Sequence, residues 1–498
     1  MLSIVKSMCL QGLEGTIINV EVDISAGMPC WDIVGLPDVS IKESKERVRT
    51  AIRNSGFDLY SRKYIINLSP ANLKKDGSLF DLPIAIAILE NLNYIKKQKF
   101  DDTLFIGELS LNGKVNRVNG VLPICIDALK KGIKRIFIPK ENLNEVYFFK
   151  EISVFGIENL KELVTFLNGG NIFIKKNSSN MYFSRKIHYD IDYSDVKGHN
   201  MAKRAIEIAI SGGHNLLMIG SPGSGKTMML KRIPTILPEL SFKESLEVTK
   251  IHSIYGQNKE EGLISTRPFR NPHYTVTKSG LLGGGRNPKP GELSLAQFGV
   301  LFLDELLEFD KDILESLRIP LEEKKINIVR NGVNIVYPCS CILVASMNPC
   351  KCGYYGSSMK KCTCTELSRK KYFSKLSGPL LDRFDVFIRI DSDISNKNTD
   401  SSEIIKNRIK IAREIQKKRF FEFNINLNSE IPSKYIEEFC NINEESKKIL
   451  DMTMNRFNLS SRAYYKILKV ARTIADLDKK ENIETNHILE AIQYRNAI

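Results

Sequence analysis

The run Gly220-Ser221-Pro222-Gly223-Ser224-Gly225-Lys226-Thr227 has the spacing G-x-x-x-x-G-K-T. Glycines so placed let consecutive backbone N–H groups curl around a polyphosphate, and a following helix adds the positive end of its dipole. Lys226 is placed to reach the outer phosphates, and the Thr227 hydroxyl to ligate Mg²⁺. The apolar run 215–219 suits a buried strand and 228–232 can open a helix, which completes the strand–loop–helix setting. These residues predict a nucleoside triphosphate site, read as ATP with Mg²⁺. Farther on, Gly299-Val300-Leu301-Phe302-Leu303 delivers Asp304 and Glu305 to the end of a second apolar strand, the edge where α/β sheets bind ligands. Asp304 is expected to hold the metal through water, and Glu305 to polarise the attacking water. A third strand, 342–347, ends at Asn348, a polar side chain between nucleotide and water. Arg383 lies in the phrase SGPLLDRFD. It is either a surface or capping arginine, or a finger that stabilises transition-state charge on a neighbouring subunit's nucleotide.

A second constellation is made of thiols. Cys350-Lys351-Cys352 and Cys362-Thr363-Cys364 are two pairs of matched spacing. Zinc favours four thiolates in a tetrahedron, so Cys350, Cys352, Cys362 and Cys364 predict a structural Zn²⁺ site; free structural cysteines are the alternative. Lys351, Lys360 and Lys361 among them would offset thiolate charge.

The elements that must position these groups fall into three regions. The chain has 498 residues, too many for one compact core. Polar stretches at 169–184 and 392–402 read as linkers. They separate an α/β domain (1–168), a P-loop core (185–391) and a helical C-terminal lid (403–498). The fold class is α/β multidomain. In the first region, strands are expected at 16–25, 65–68, 104–109 and 135–138, with helices at 40–56, 82–92 and 122–131. The last region shows helical spacing of Ile405, Ile409, Ala412 and Ile415, and a serine-capped helix starting near 460 that carries Arg462 in its first turn.

Lysine plus arginine number 73 against 58 acids, a net charge of +15. That balance suits a nucleic-acid partner, although a composition rich in Lys, Ile and Asn throughout accounts for it equally well. No apolar run is long enough to span a bilayer, and no signal peptide is evident, so a cytoplasmic protein without membrane partners is expected. Ten cysteines in such a chain do not suggest a disulfide framework.

Two resemblances add to this reading. The N-terminal phrases Lys75-Asp76-Gly77 and GELSLNGKV (107–115) resemble the proteolytic domain of Lon-type proteases, an S5-like fold. In that family a serine lies two residues after the glycine, where this chain has Leu79, and no lysine follows in 120–124; the resemblance therefore implies a protease-like scaffold without peptidase activity. Over nearly its whole length, the chain resembles magnesium-chelatase-like AAA+ proteins of the ComM (YifB) competence family. The matching phrases are SGGHNLLMIGSPGSGKT, RPFRNPHYTVTKSGLLGGG, PGELSLAQFGVLFLDEL, VASMNPCKCGYYG and LSGPLLDRFD. The resemblance implies a hexameric ATPase moving along DNA, with helicase or branch-migration activity in uptake and recombination. It also implies a sensor role for Asn348 and a second sensor role for Arg462. The insert carrying the flexible run 280–286, with Arg286, would be a lever towards a central pore. The hairpin-like 324–332 holds Lys324, Lys325 and Arg330, which could track phosphates or form a solvated edge. Gln297-Phe298 and Lys351 depart from the family, which usually has His-Asn and proline there. A chelatase-like or chaperone-type remodeller of a protein partner is the competing function, and an active ATP-dependent protease a third.

Overall fold

The computed structural model describes residues 2–75, 77–170, 189–256, 262–285, 287–330, 333–357, 360–391, 400–457 and 459–495. The linker at 169–184, most of that at 392–402, and the pore candidate Arg286 fall mainly or wholly outside these residues.

The N-terminal region contains β1 (Leu2–Gln11), β2 (Glu14–Ser25), β3 (Cys30–Val34), α1 (Val39–Asn54), β4 (Lys63–Ser69), α2 (Asp81–Asn91), β5 (Thr103–Phe105), α3 (Val121–Lys130), β6 (Arg135–Pro139), β7 (Ser153–Ile157) and α4 (Leu160–Leu167). Its seven-stranded sheet has the order β3-β4-β2-β1-β5-β6-β7. β2 is antiparallel to both β1 and β4, and the other pairings are parallel. The sheet is covered on both faces. Phe105 points into a core with α1, α2 and α4, and its neighbour Leu104 into a separate core with α3. α2 is apolar all round and buried from Asp81 to Glu90, as a helix at the centre of a domain must be. Of its two buried acidic residues, Asp81 accepts from Arg47 Nε of α1 at 2.9 Å and Glu90 accepts from the Ser3 hydroxyl of β1. β1, β3, β7 and α4 are additions to the elements expected from sequence, and the expected strand 104–109 divides into β5 and a two-residue ribbon, Glu108–Leu109 against Val115–Asn116.

The central region supplies α5 (Asn200–Gly212), β8 (Leu216–Gly220), α6 (Lys226–Leu230), α7 (Phe242–Tyr255), β9 (Phe269–Arg270), β10 (Val300–Leu303), α8 (Arg318–Glu323), β11 (Lys325–Arg330), β12 (Val333–Pro338), β13 (Ile342–Met347), α9 (Glu366–Phe373) and β14 (Val386–Ile390). Five strands form an all-parallel sheet in the order β9-β10-β13-β8-β14. β8 is buried throughout, so its sequence is a continuous apolar run with no alternation to polar residues. Leu216 and Met218 point into one core, Leu217 and Ile219 into the other. α6 stops at Leu230; Pro234 cannot donate to the carbonyl four residues back, and the chain turns there.

The C-terminal helices α10 (Ser402–Arg419), α11 (Glu444–Phe457), α12 (Ser461–Leu477) and α13 (Thr485–Gln493) share one apolar core with α5 and β8. Ser402, placed in the second linker by composition, is the first residue of α10; its buried hydroxyl accepts from Tyr193 N at 2.9 Å. Among the described residues no helix is long and apolar enough to cross a membrane.

The N-terminal domain docks on α7. Ser253 donates to the buried carboxylate of Glu145 at 2.9 Å, and Gly120 N to Ser253 O at 3.1 Å. α7 in turn meets the start of the acidic strand: Gln297 Nε2 donates to Glu247 at 2.7 Å, while Gln297 Oε1 accepts from Ser340 N at 2.6 Å. The departure at Gln297 is therefore a buried bridge between α7 and the segments entering β10 and β13.

Candidate functional site

The parallel sheet brings the phosphate loop, the acidic pair and Asn348 to one edge. Gly223 and Gly225 hold φ +79° and +83°, a region that residues with a Cβ rarely adopt, so the loop can wrap only with glycine there. Lys226 Nζ donates to the carbonyls of Gly220 (2.6 Å) and Ser221 (2.8 Å) and to Asn348 Oδ1 (3.2 Å). Burial pulls the Lys226 ammonium down to about 8, with Asp304 and Glu305 pulling the other way. Thr227 donates to Asp304 Oδ2 at 3.0 Å, as expected of two groups meant to share a cation.

Glu305 is exposed at the strand end and sits at φ 53°, in the left-handed region. Its amide donates to Asp304 Oδ1 at 3.1 Å. A non-glycine residue held there costs on the order of 1 kcal/mol, a strain typical of reactive edges. Ser346, not picked out by sequence, donates to Asp304 as well and fixes that carboxylate's second oxygen. Only its place on β13, opposite the acidic strand, could have signalled it.

The residues fit a triphosphate. The hydroxyls of Ser221 and Ser224 are buried without any partner among the described residues, an arrangement that is costly unless a ligand supplies one. Lys226 meanwhile spends its ammonium protons on loop carbonyls, where phosphate oxygens would satisfy them better.

Arg383 and Arg462 lie apart from this cluster. Arg383 donates to Glu322 and, at 3.5 Å, to the carbonyl of Arg318; both partners belong to α8, which leads into the β11–β12 hairpin. The Arg383 loop is clamped from the C-terminal helices, because Lys466 of α12 pairs with Asp385 at 2.8 Å and donates to Phe384 O at 3.0 Å. Asp385 is held well below the ordinary carboxylate range: burial opposes this, but Lys466 and His214 outweigh it. Arg462 lies one turn before Lys466, exposed, with Ser460 capping its helix. No hydrogen bond or ion pair of Arg462 is formed among the described residues. Helix α12 thus links the second-sensor candidate to the finger candidate, a tie that sequence spacing does not reveal.

The hairpin is as expected: β11 and β12 pair antiparallel with Arg330 opposite Val333, which leaves a two-residue connection at 331–332, outside the described residues. Lys325 and Arg330 are exposed, and Lys324 is half-buried at φ 56°. The run 280–285 has more order than its glycines suggested: Thr277 caps a helical turn, Lys278–Leu282, and Gly283–Gly284 pairs with Lys289–Pro290.

The four cysteines converge. All four Sγ atoms lie within 4.8 Å of one another. Cys350 is 3.3 Å from Cys352 and 3.7 Å from Cys362, and Cys352 is 3.6 Å from Cys362. Thiolates at about 2.3 Å from a tetrahedral ion stand roughly 3.8 Å apart, so the cluster is of zinc-binding size. Backbone amides of Tyr354 and Thr363 pull the Cys352 thiol down towards thiolate, the form that binds metal.

Three family models match the chain in succession. The family model "Magnesium chelatase, subunit ChlI" matches residues 192–398, "Subunit ChlI of Mg-chelatase" 20–142, and "Magnesium chelatase, subunit ChlI C-terminal" 399–495. YifB of Escherichia coli is 40% identical over 500 residues, spanning 99% of this chain and 97% of that protein. The chain belongs to the ComM/YifB family of magnesium-chelatase-like proteins. A second ComM/YifB relative, competence protein ComM of Haemophilus influenzae, is 38% identical over 506 residues, with 99% and 97% coverage. Beyond these, an MCM-type protein of Methanocaldococcus jannaschii is 25% identical over 283 residues, 54% of this chain and 32% of that protein.

Proposed function

We propose that this ComM/YifB-family chain is an ATPase whose subunits assemble into a ring, read as a hexamer, and convert hydrolysis into movement along DNA. The observation that carries the ATPase reading is the meeting of Lys226, Thr227, Asp304 and Asn348 at one sheet edge. Bound MgATP supplies a γ-phosphoryl group whose transfer to water is strongly downhill. Lys226 releases the loop carbonyls and neutralises the outer phosphates, while Thr227 and Asp304 hold the cation. Glu305, exposed beside them, orients the attacking water. Asn348 reports the γ-phosphate to Lys226 and β13. Arg383 supplies charge to the neighbouring subunit's nucleotide, and Arg462 closes the lid over its own. DNA as the substrate is supported by the net charge, by the exposed cations of the hairpin, and by the competence and MCM-type names of the relatives. ATP hydrolysis stimulated by forked or four-way DNA, and lost in Lys226→Ala and Glu305→Gln, is the expected result; turnover indifferent to any DNA would leave the protein-remodelling alternative.

We read the four-cysteine cluster as a structural zinc site and the N-terminal domain as a protease-like scaffold without peptidase activity. In support of the second point, Ser78 donates to Glu108 rather than to a lysine, and Lys130 is engaged with Asp127 at 3.0 Å. Peptide cleavage that disappears in Ser78→Ala would refute it.

A further inference from the structure

The cysteine knuckle does not stand apart from the phosphate loop. Gly353, between Cys352 and Tyr354, is buried at φ +84°. A Cβ there would lie 2.5 Å from Pro222 Cδ and 2.6 Å from Pro222 Cγ, so the knuckle backbone rests directly on the loop's tip. Only glycine allows both that conformation and that approach.

Two further ties join the same parts. Asn348, two residues before Cys350, accepts from Lys226. On the far side, Arg389 of β14 stands 5.8 Å from the Tyr355 ring, and Arg369 4.3 Å from it. The residue after Arg389 presses on the loop's other end, because a Cβ at Gly220 would meet Ile390 O at 2.5 Å. The phosphate loop is thus held between the knuckle and β14. Cys350 is fully buried and Tyr372 and Phe373 of α9 pack against the central core, but α9 has no fully buried side chain and Cys352, Cys362 and Cys364 are only half-buried. Four thiolates on one ion would add a further constraint.

We propose that the cysteine knuckle braces the phosphate loop, with Gly353 as the positioning residue, so that metal occupancy at the four thiolates and nucleotide affinity are linked. The proposal rests on reading the cluster as a zinc site. Linkage is reciprocal: if the ion stiffens the loop, bound nucleotide must retain the ion.

The test uses the full chain, a non-hydrolysable ATP analogue with Mg²⁺, and zinc measured by its release to a chromogenic chelator. Gly353→Val is expected to carry the wild-type zinc content yet bind the analogue about tenfold more weakly. Adding Pro222→Ala, which clears the atoms the new side chain meets, should restore part of that affinity. In the unaltered protein the analogue should raise severalfold the chelator concentration at which half the zinc is released at equilibrium. A zinc-loaded Gly353→Val with wild-type affinity, or release from the unaltered protein indifferent to the analogue, overturns the brace and leaves the zinc reading intact. Purified protein without zinc sinks both. The release measurement needs no variant, so it decides even if Gly353→Val fails to fold.

Discussion

Lys226 concentrates the chemistry of the site in one titration. Its ammonium, pulled down to about 8 by burial, is the form that binds phosphate. Free protein therefore loses that form as pH rises through about 8, whereas a bound anion would retain it. Affinity for an ATP analogue is expected to fall above pH 8, by up to about tenfold per pH unit, and to lose this dependence in Lys226→Ala. The sign for folding is opposite. The unfolded lysine keeps its proton to a higher pH than the folded one, so this group favours the ligand-free fold more as pH rises from about 8 into the ordinary lysine range. Calorimetric binding across pH 7–9.5 checks the first expectation, and thermal unfolding of wild type against Lys226→Met the second. The phosphate loop, Asp304, Glu305 and Asn348 were legible because each sits at the end of an apolar run that announces its strand. Ser346 and Gly353 were not, because their meaning lies in contacts with residues far away in sequence, Asp304 and Pro222.

At the level of elements, two ties hold the Arg383 loop to its neighbours, one to α12 and one to α8. α12 clamps the Arg383 loop through Lys466, whose partner Asp385 is 14% exposed. Lys466→Met leaves that carboxylate without its closest cation and should cost about 2 kcal/mol in denaturant unfolding. An unchanged midpoint would show that the clamp adds nothing. The β11–β12 hairpin is rooted on the helix that holds Arg383 and leaves Arg330 exposed, where the proposed function would have it meet a phosphate backbone. Arg330→Ala should weaken DNA binding at low salt and lower the salt slope by about one ion, as fluorescence anisotropy can measure. The hairpin was readable from the strand-like alternation of 324–330 and the Asn331-Gly332 pair that follows it in sequence. β1 was not: Ser7, Met8 and Cys9 are buried in succession, which breaks the two-residue period, and only pairing with β2 and β5 identifies the strand. The order of the glycine-rich 280–285 segment was likewise hidden, since it depends on a ribbon partner at 289–290.

Across the whole molecule, three folded regions are joined around the parallel sheet: α7 links the N-terminal domain to the segments that enter the strands carrying Asp304 and Asn348, and α12 reaches the Arg383 loop. In a single chain Arg383 engages its own Glu322 and lies away from the phosphate loop of the same subunit. In the proposed ring, Arg383 would instead complete the pocket of a neighbouring subunit. The most direct measurement is ATP turnover, with forked DNA present, of Lys226→Ala subunits, Arg383→Ala subunits and an equimolar mixture of the two. Each variant alone is expected to be nearly inactive. In the mixture, an Arg383→Ala subunit contributes an intact phosphate loop and its Lys226→Ala neighbour an intact arginine, so turnover should reappear. A mixture as silent as its components, under conditions where the wild type turns over, would contradict a pocket shared between subunits.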